Sequence, residues 1–142
     1  MISRDELIAF LQAQDRHTIH ETLGIRIEQY GAEESVVAVD VDERLFQHGG
    51  IVHGGVYVLL AESAASLAAA FAVDIEQNEV AGMEVNANHL KKVTSGTVRA
   101  IARPLHQGRS TLVYGIDVVN EDGERVCVSR CTIAVRPRRS TL

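Results

Sequence analysis

Residues 54–73, GGVYVLLAESAASLAAAFAV, form an almost wholly apolar stretch that carries a single charged residue, Glu62. Alanine and leucine favour the α-helix, and about 20 residues make a helix roughly 30 Å long. A helix of that length could cross a membrane. A glutamate near its middle would be costly in lipid, however, and Ser63 and Ser66 add polarity. The stretch therefore predicts a long helix that a sheet encloses.

Strand patterns lie on both sides of the predicted helix. Two short strands are expected before it, around Ile25 and Ile27 and over residues 36–41, with a turn at residues 31–34 between them. Four more strands are expected after it, at residues 80–90, 97–105, 111–120 and 125–135. Short turns separate the last three, which favours an antiparallel meander.

Both ends of the chain are polar. Ser3 and Glu6 have the spacing of a capping box and predict a short amphipathic helix over about residues 4–14. Residues 1–6 do not show the basic start and apolar run of a secretory signal. At the other end, the basic tail at residues 136–142 is expected to be exposed. We expect a cytoplasmic protein with no membrane partner.

Length and composition predict one domain that spans residues 1–142. The chain is 46% hydrophobic and 23% charged, as is usual for a globular protein. Aromatic residues are only 4% and the formal net charge is -5, which argues against a nucleic-acid partner. Cys127 and Cys131 would lie roughly 13 Å apart on one strand. That is too far for a disulfide, so reduced thiols are expected.

Glu62 is the first candidate for chemistry, because carboxylates are rarely buried unless they are paired or functional. No Lys, Arg or His lies three or four residues away to pair with it on the helix. It could occupy one exposed stripe, pair with a distant strand residue, or act as a desolvated catalytic carboxylate. Ser66, one turn further, shares its face and could orient a water molecule or simply bond to the helix backbone.

The helix start, His53-Gly54-Gly55, is the second candidate. Two glycines are poor helix formers, so their use suggests that a ligand approaches the backbone closely. Free N–H groups at a helix N-terminus suit a developing oxyanion, although a tight loop-to-helix junction would use the same residues. Gly54 lies eight residues before Glu62, roughly 12 Å along a helix. If both act on one substrate, they come from different subunits of a symmetric dimer.

A third cluster, His106 to Thr111, combines a glycine with Arg109 and hydroxyl donors at a strand start. Together with Lys91 and Lys92 it could bind phosphates, although surface turns often carry such residues and P-loop spacing is absent. The six histidines do not show the spacing of a familiar metal site, so no catalytic metal is expected.

Three segments carry a resemblance to one family. They are Gln47 to Gly55 followed by Ala61-Glu62-Ser63, the run Gly82 to His89, and the turn Leu105 to Ser110. In this order they resemble the hotdog-fold acyl-CoA thioesterases. The branch most similar is the Arthrobacter-type 4-hydroxybenzoyl-CoA thioesterase and PaaI-like group, near the 1,4-dihydroxy-2-naphthoyl-CoA thioesterases. The resemblance implies an α+β hotdog fold: an antiparallel sheet of about six strands wrapped around one long central helix.

The resemblance also implies roles for individual residues. Glu62 matches the catalytic carboxylate, as nucleophile or as general base on water, and Ser66 matches the hydroxyl beside it. Gly54 matches the backbone donor to the thioester carbonyl, and Gln47 and His53 match the side chains around it. The positions that match the CoA-binding residues are Gly82, His89, Leu90, Lys91, Lys92, His106, Gln107, Gly108, Arg109, Ser110 and Thr111. No cofactor is implied beyond the coenzyme A of the substrate, and the family assembles as dimers, often dimers of dimers.

One loop departs from the family pattern and leaves alternatives open. Many relatives carry Gln-Pro-Phe-Gly where this chain has Gln47-His48-Gly49-Gly50, so an altered acyl pocket is expected. His48 precedes Glu62 by fourteen residues, a spacing that resembles acyl-carrier-protein dehydratases on the same fold. A hydratase or dehydratase that uses His48 and Glu62 is therefore the first alternative to thioester hydrolysis. A non-catalytic acyl-CoA-binding protein is the second.

Overall fold

The computed structural model describes residues 2–139. Along the chain, two helices precede a first pair of strands, a third α-helix follows that pair, and four more strands come last. The helices of that part of the chain are α1 (Arg4–Ala13), α2 (Ile19–Leu23) and α3 (Gly54–Ala72), with a short 3-10 helix at Glu43–Leu45. The strands are β1 (Arg26–Gln29), β2 (Ser35–Asp40), β3 (Asn78–His89), β4 (Thr97–Gln107), β5 (Thr111–Val119) and β6 (Arg125–Pro137).

The six strands form one antiparallel sheet in the order β1-β2-β4-β5-β6-β3. The neighbours β4, β5 and β6 follow one another along the chain, which confirms the predicted meander. β3 pairs with β6, the last strand, so β1 and β3 are the two edges of the sheet. The twelve-residue edge of β3 is much longer than the four-residue edge of β1.

The long apolar stretch forms α3 and lies against the inner face of the sheet, in contact with β2, β3, β4, β5 and β6. Its buried side chains are mostly alanines, which let the helix axis approach the strands closely: Tyr57, Leu60, Ala61, Ala64, Ala65, Leu67, Ala68 and Ala69. By length and composition α3 could cross a membrane. Its contacts instead make it the core helix of a sheet-wrapped fold, as predicted.

Element ends differ from the sequence predictions by a few residues. The capping box of Ser3 and Glu6 is present and starts α1 as predicted. β6 continues to Pro137, so the first two residues of the predicted tail belong to the sheet. Arg138 is exposed and donates hydrogen bonds from its guanidinium Nε to carbonyl oxygens of Ile75 and Asn78. The rest of the tail prediction, residues 140–142, lies outside the described residues.

The helix α2 was not predicted, although its ends carry standard signals. The Thr18 side chain accepts a hydrogen bond from the Glu21 N–H, the spacing of an N-cap. Gly24 ends the helix in the left-handed conformation at φ 71°, which glycine adopts without strain. This helix and the end of α1 cover one side of α3 and so define the site described next.

Candidate active site

Glu62 lies on the stripe of α3 that the sheet does not cover, beside a cavity of about 550 Å³. Leu59, Ser63, Ser66 and Ala70 line the same cavity, and their spacing is that of one helical face. Ser66 is therefore placed beside Glu62 as predicted. Glu62 is exposed within one chain. Of the alternatives left open for Glu62, the single chain agrees with a position on an exposed stripe.

Gly82 of β3 provides the space that the Glu62 side chain occupies. A Cβ atom at position 82 would lie 2.5 Å from Glu62 Oε1, far inside van der Waals contact. Burial raises the pKa of the Cys131 thiol on β6 to about 11, and the negative charges of Glu62 and Glu84 add to that rise. Gly82, matched above to a CoA-binding position, here positions the candidate catalytic carboxylate.

A second cavity, of about 300 Å³, lies at the N-terminal end of α3. Gln47, Gly54 and Tyr57 line it together with His89 to Lys92. Among the described residues, none accepts a hydrogen bond from the Gly54 N–H. The Gln47 Oε1 atom accepts from the Gly49 N–H, which leaves the amide nitrogen of Gln47 for another acceptor. Two donors therefore meet in this cavity and suit a carbonyl oxygen that gains negative charge.

His53 and His89 explain the two glycines at the start of α3. His53 is the N-cap, and its Nδ1 atom accepts a hydrogen bond of 2.8 Å from the Gly55 N–H. A Cβ atom at position 54 would lie 2.7 Å from His89 Nε2, so a larger residue there would require the His89 ring to move. His53 thus has a structural contact besides the role near the carbonyl that the resemblance implies. His89 stacks at an angle near Tyr57, with ring centroids 5.6 Å apart.

Gly54 and Glu62 line different cavities, and the two cavities share no lining residue. One thioester group could not contact both residues of the same chain. This agrees with the distance along α3 that predicted a composite site.

The predicted phosphate-binding clusters are also separated within one chain. His89 pairs with Cys127 near the start of β6, and Thr111 pairs with Ala134 near its end. Seven residues of strand place these positions roughly 23 Å apart. Within one chain, Lys91 and Lys92 therefore lie far from the turn from His106 to Thr111. The two clusters can meet only across two copies.

The turn from His106 to Thr111 joins β4 to β5, as predicted. The Gly108 N–H donates to the Thr111 carbonyl, and a Cβ atom at position 108 would lie 2.6 Å from His106 Nε2. Arg109 and Ser110 are exposed. In the other cluster, Lys91 forms a 2.9 Å ion pair with Glu124, while Lys92 lines the second cavity.

His48, the basis of the dehydratase alternative, is exposed in the loop before α3 and lines neither cavity. It therefore lies outside the surroundings of Glu62 in one chain. Gln47 and Gly54 are separated from Glu62 in the same way, so the position of His48 by itself does not decide between hydrolysis and dehydration.

Sequence reasoning missed the outer wall of the 550 Å³ cavity. The end of α1, the following loop and α2 supply it, with Leu11, Asp15, Thr18, Ile19 and His20 among the lining residues. His20 Nε2 and the Ser63 hydroxyl are hydrogen-bonded at 2.9 Å. The spacing of Thr18, Glu21 and Gly24 could have predicted α2, but nothing local to residue 20 predicts its contact with residue 63.

An antiparallel sheet wrapped around one long helix, a carboxylate beside an acyl-sized cavity, and free donors at the helix start together define the hotdog-fold thioesterases. The family model of the thioesterase superfamily matches residues 49–127, more than half of the chain. The chain belongs to this superfamily and is a thioester hydrolase.

Individual relatives agree with this assignment. A 1,4-dihydroxy-2-naphthoyl-CoA hydrolase of Listeria monocytogenes is 44% identical over 122 residues, which cover 85% of this chain and 98% of that protein. A crystal structure of a mutant of thioesterase PA1618 from Pseudomonas aeruginosa has a TM-score of 0.86 at 42% identity and covers 92% of this chain and 94% of that one. A hypothetical thioesterase from Streptococcus pneumoniae, solved with coenzyme A, has a TM-score of 0.71 at 25% identity and covers 82% and 88%.

Proposed function

We propose that this protein hydrolyses acyl-CoA or aroyl-CoA esters to the free acid and CoA, with Glu62 as nucleophile or as general base. The observation that carries the proposal is the position of Glu62, which faces a cavity of about 550 Å³ lined largely by aliphatic side chains. That cavity suits the acyl part of the substrate. The cavity with Gly54 and Gln47 suits the thioester carbonyl, contributed by a second copy of the chain.

The chemistry requires few groups because a thiolate is a good leaving group. In the general-base route, water attacks the carbonyl carbon and gives its proton to Glu62. The carbonyl oxygen becomes an oxyanion that the Gly54 N–H and the Gln47 amide stabilise. The C–S bond then breaks, and the CoA thiolate takes the proton from Glu62. In the nucleophilic route, the Glu62 carboxylate attacks the carbon, the C–S bond breaks and the CoA thiolate leaves. Water then hydrolyses the resulting mixed anhydride, which releases the acid, regenerates Glu62 and supplies the proton that the thiolate takes.

The active unit in this proposal is a symmetric dimer, with a dimer of dimers as a further assembly. The outer edge of β3 supports it, because twelve residues of unpaired edge strand are a template for pairing with another chain. Met83 is 62% exposed on this strand. Pairing two β3 edges would continue the sheet across the dimer. No metal or separate cofactor, nucleic acid or membrane takes part, and a cytoplasmic location remains the expectation.

Relatives support the choice of Gln47 and Glu62. Two crystal structures of protein SAV0944 from Staphylococcus aureus, each 32% identical to this chain, carry a glutamine-to-alanine and a glutamate-to-alanine substitution fifteen positions apart. Gln47 and Glu62 have the same separation. Names among the relatives also support an aroyl substrate, since two are 1,4-dihydroxy-2-naphthoyl-CoA hydrolases.

The Glu62→Gln variant tests the proposal. Glutamine keeps the size of the side chain but can neither attack the carbonyl nor accept the proton of water. We expect the rate of thiol release from a panel of aroyl-CoA and fatty acyl-CoA esters to fall by at least about a hundredfold. The thermal unfolding temperature should stay near that of the wild type, since Glu62 is exposed.

The matched control is Glu79→Gln, which removes an exposed carboxylate of β3. It should retain wild-type turnover. Wild-type turnover in Glu62→Gln would instead assign Glu62 a structural role and refute the proposal.

A further inference from the structure

The cavity beside Glu62 has polar lining residues that the proposed chemistry does not use: Gln14, Asp15, Thr18, His20 and Ser63. Most of its wall is aliphatic, with Ile27, Val37 and Val80 among the lining residues. His20 of α2 and Ser63 of α3 interrupt this surface with a hydrogen bond of 2.9 Å. Asp15 lies on the far side of His20, with 3.9 Å between Asp15 Oδ1 and His20 Nδ1. A half-buried imidazole is thus held in the wall of a largely apolar cavity.

The wall that carries His20 lies outside the part of the chain that the superfamily model matches, residues 49–127. Only the α3 stripe and Val80 of the cavity fall within that part. The contact between His20 and Ser63 joins positions 43 residues apart. It places a side chain of this N-terminal segment directly beside the residue that follows Glu62.

Asp15, His20 and Ser63 are ordered like a Ser-His-Asp nucleophile system, but the surroundings do not suit that role. The 3.9 Å separation between the Asp15 and His20 atoms is too long for a hydrogen bond that would orient the imidazole. The three residues therefore have the properties of a recognition site rather than of a catalytic unit.

We propose that His20, with Ser63, is a specificity-determining residue that binds an oxygen substituent on the acyl group of the substrate. This inference rests on the proposed thioesterase function and specifies the chemical class of its acyl group. The group has an apolar body that fills the aliphatic cavity and a hydroxyl or carbonyl oxygen directed toward α2.

A hydroxyl fits this position because it can both donate and accept a hydrogen bond. A substrate hydroxyl can therefore form a hydrogen bond with His20 and Ser63 whether His20 or Ser63 is the donor in the bond between them. An unsubstituted acyl group would instead cover the polar atoms of both side chains without replacing their hydrogen bonds to water. A site built for a hydroxyl rejects the analogue that lacks it far more strongly than an apolar site distinguishes sizes.

The test compares pairs of substrates that differ by one oxygen, benzoyl-CoA against its 2-, 3- and 4-hydroxy derivatives. We expect wild-type kcat/KM for the preferred hydroxy isomer to exceed that for benzoyl-CoA by about tenfold or more. In His20→Leu, which fits the apolar wall, this ratio should fall about tenfold. His20→Gln keeps a hydrogen-bonding group and should restore part of the ratio.

Gln12→Leu is the control, because Gln12 is exposed on α1 and does not line the cavity. It should leave the ratio at the wild-type value. The inference would be overturned if His20→Leu left the ratio of kcat/KM values unchanged, even if both substrates reacted more slowly. It would also be overturned if the wild type did not distinguish the hydroxy isomers from benzoyl-CoA. These outcomes leave the proposed function intact if release still depends on Glu62. Release that does not depend on Glu62, or no release from any ester, would refute the proposed function and this inference together.

Discussion

At the scale of single residues, the site depends on two glycines, whose lack of a side chain leaves room for neighbouring groups. Gly82 and Gly54 each leave the space that a functional side chain occupies, Glu62 in one case and His89 in the other. Neither glycine has a positive φ, so the reason for glycine is close approach rather than backbone conformation. This reason cannot be derived from a lone glycine in a sequence.

Gly82→Ala should impair catalysis without unfolding the protein. The added methyl group would lie 2.5 Å from Glu62 Oε1 and must displace the carboxylate. A displacement of about 1 Å can reduce turnover by up to a hundredfold, so we expect kcat to fall tenfold or more. The measurement is steady-state kinetics together with thermal unfolding.

Gly115→Ala on β5 is the matched control, because its new methyl group would meet Leu105 only at ordinary contact distance, 3.4 Å. It should keep wild-type kcat. Equal activity in Gly82→Ala and the wild type would show that the position of Glu62 tolerates the shift.

At the scale of elements, α3 has two functions on two faces. One face packs alanines against the sheet, and the other lines the acyl cavity with Leu59, Glu62, Ser66 and Ala70. The apolar length of residues 54–73 predicted the helix, which ends one residue earlier than the stretch. Glu62 and Ser66 marked one face as more polar, but the spacing could not predict which elements cover that face.

A pair of alanine-to-leucine variants should separate these faces. Ala68 is fully buried, so Ala68→Leu overpacks the core and should lower the free energy of unfolding by about 1–3 kcal/mol. Ala70 is half-buried at the cavity. Ala70→Leu should therefore change stability little but reduce kcat/KM for bulky aroyl-CoA esters more than for acetyl-CoA. Denaturant unfolding and kinetics check both; an equal loss of stability in the two variants would contradict the assignment of faces.

At the scale of the whole molecule, one chain contains the parts of the site in the wrong places to use them together. Gly54 and Glu62 line separate cavities. Lys91 and the turn that ends at Thr111 lie near opposite ends of β6. The long free edge of β3 offers a surface by which a second copy could bring complementary parts together.

Mixing two inactive variants tests this arrangement. Gln47→Ala removes a donor of one cavity, and Glu62→Gln removes the carboxylate of the other. If chains pair at random after reversible dissociation, half of the dimers contain one of each, and each of those has one intact site. The mixture should therefore recover about a quarter of wild-type activity.

Each variant alone, at the same total concentration, is the control for this recovery. Activity in the mixture equal to the mean of the two variants would place Gln47 and Glu62 of the same chain in one site. Light scattering of the wild type in solution measures the assembly directly.

Much of the fold could be predicted from the residues, because helix and strand periodicity are local properties of the chain. The long helix, the six strands and the meander all followed from spacing and turns, and the resemblance added the hotdog fold. The candidate residues Glu62, Ser66, Gly54 and Gln47 could likewise be selected from sequence. The pairing of β3 with β6 could not, since strand order depends on contacts between distant segments.

Tertiary structure alone decided which of these groups share a cavity. It placed Gly82 against the Glu62 carboxylate and brought His20 to Ser63 across 43 residues. The physical reason is that residue spacing reports only on neighbours along one helix or strand. The walls of a cavity come from separate elements, and their meeting is determined by how the whole sheet packs around α3.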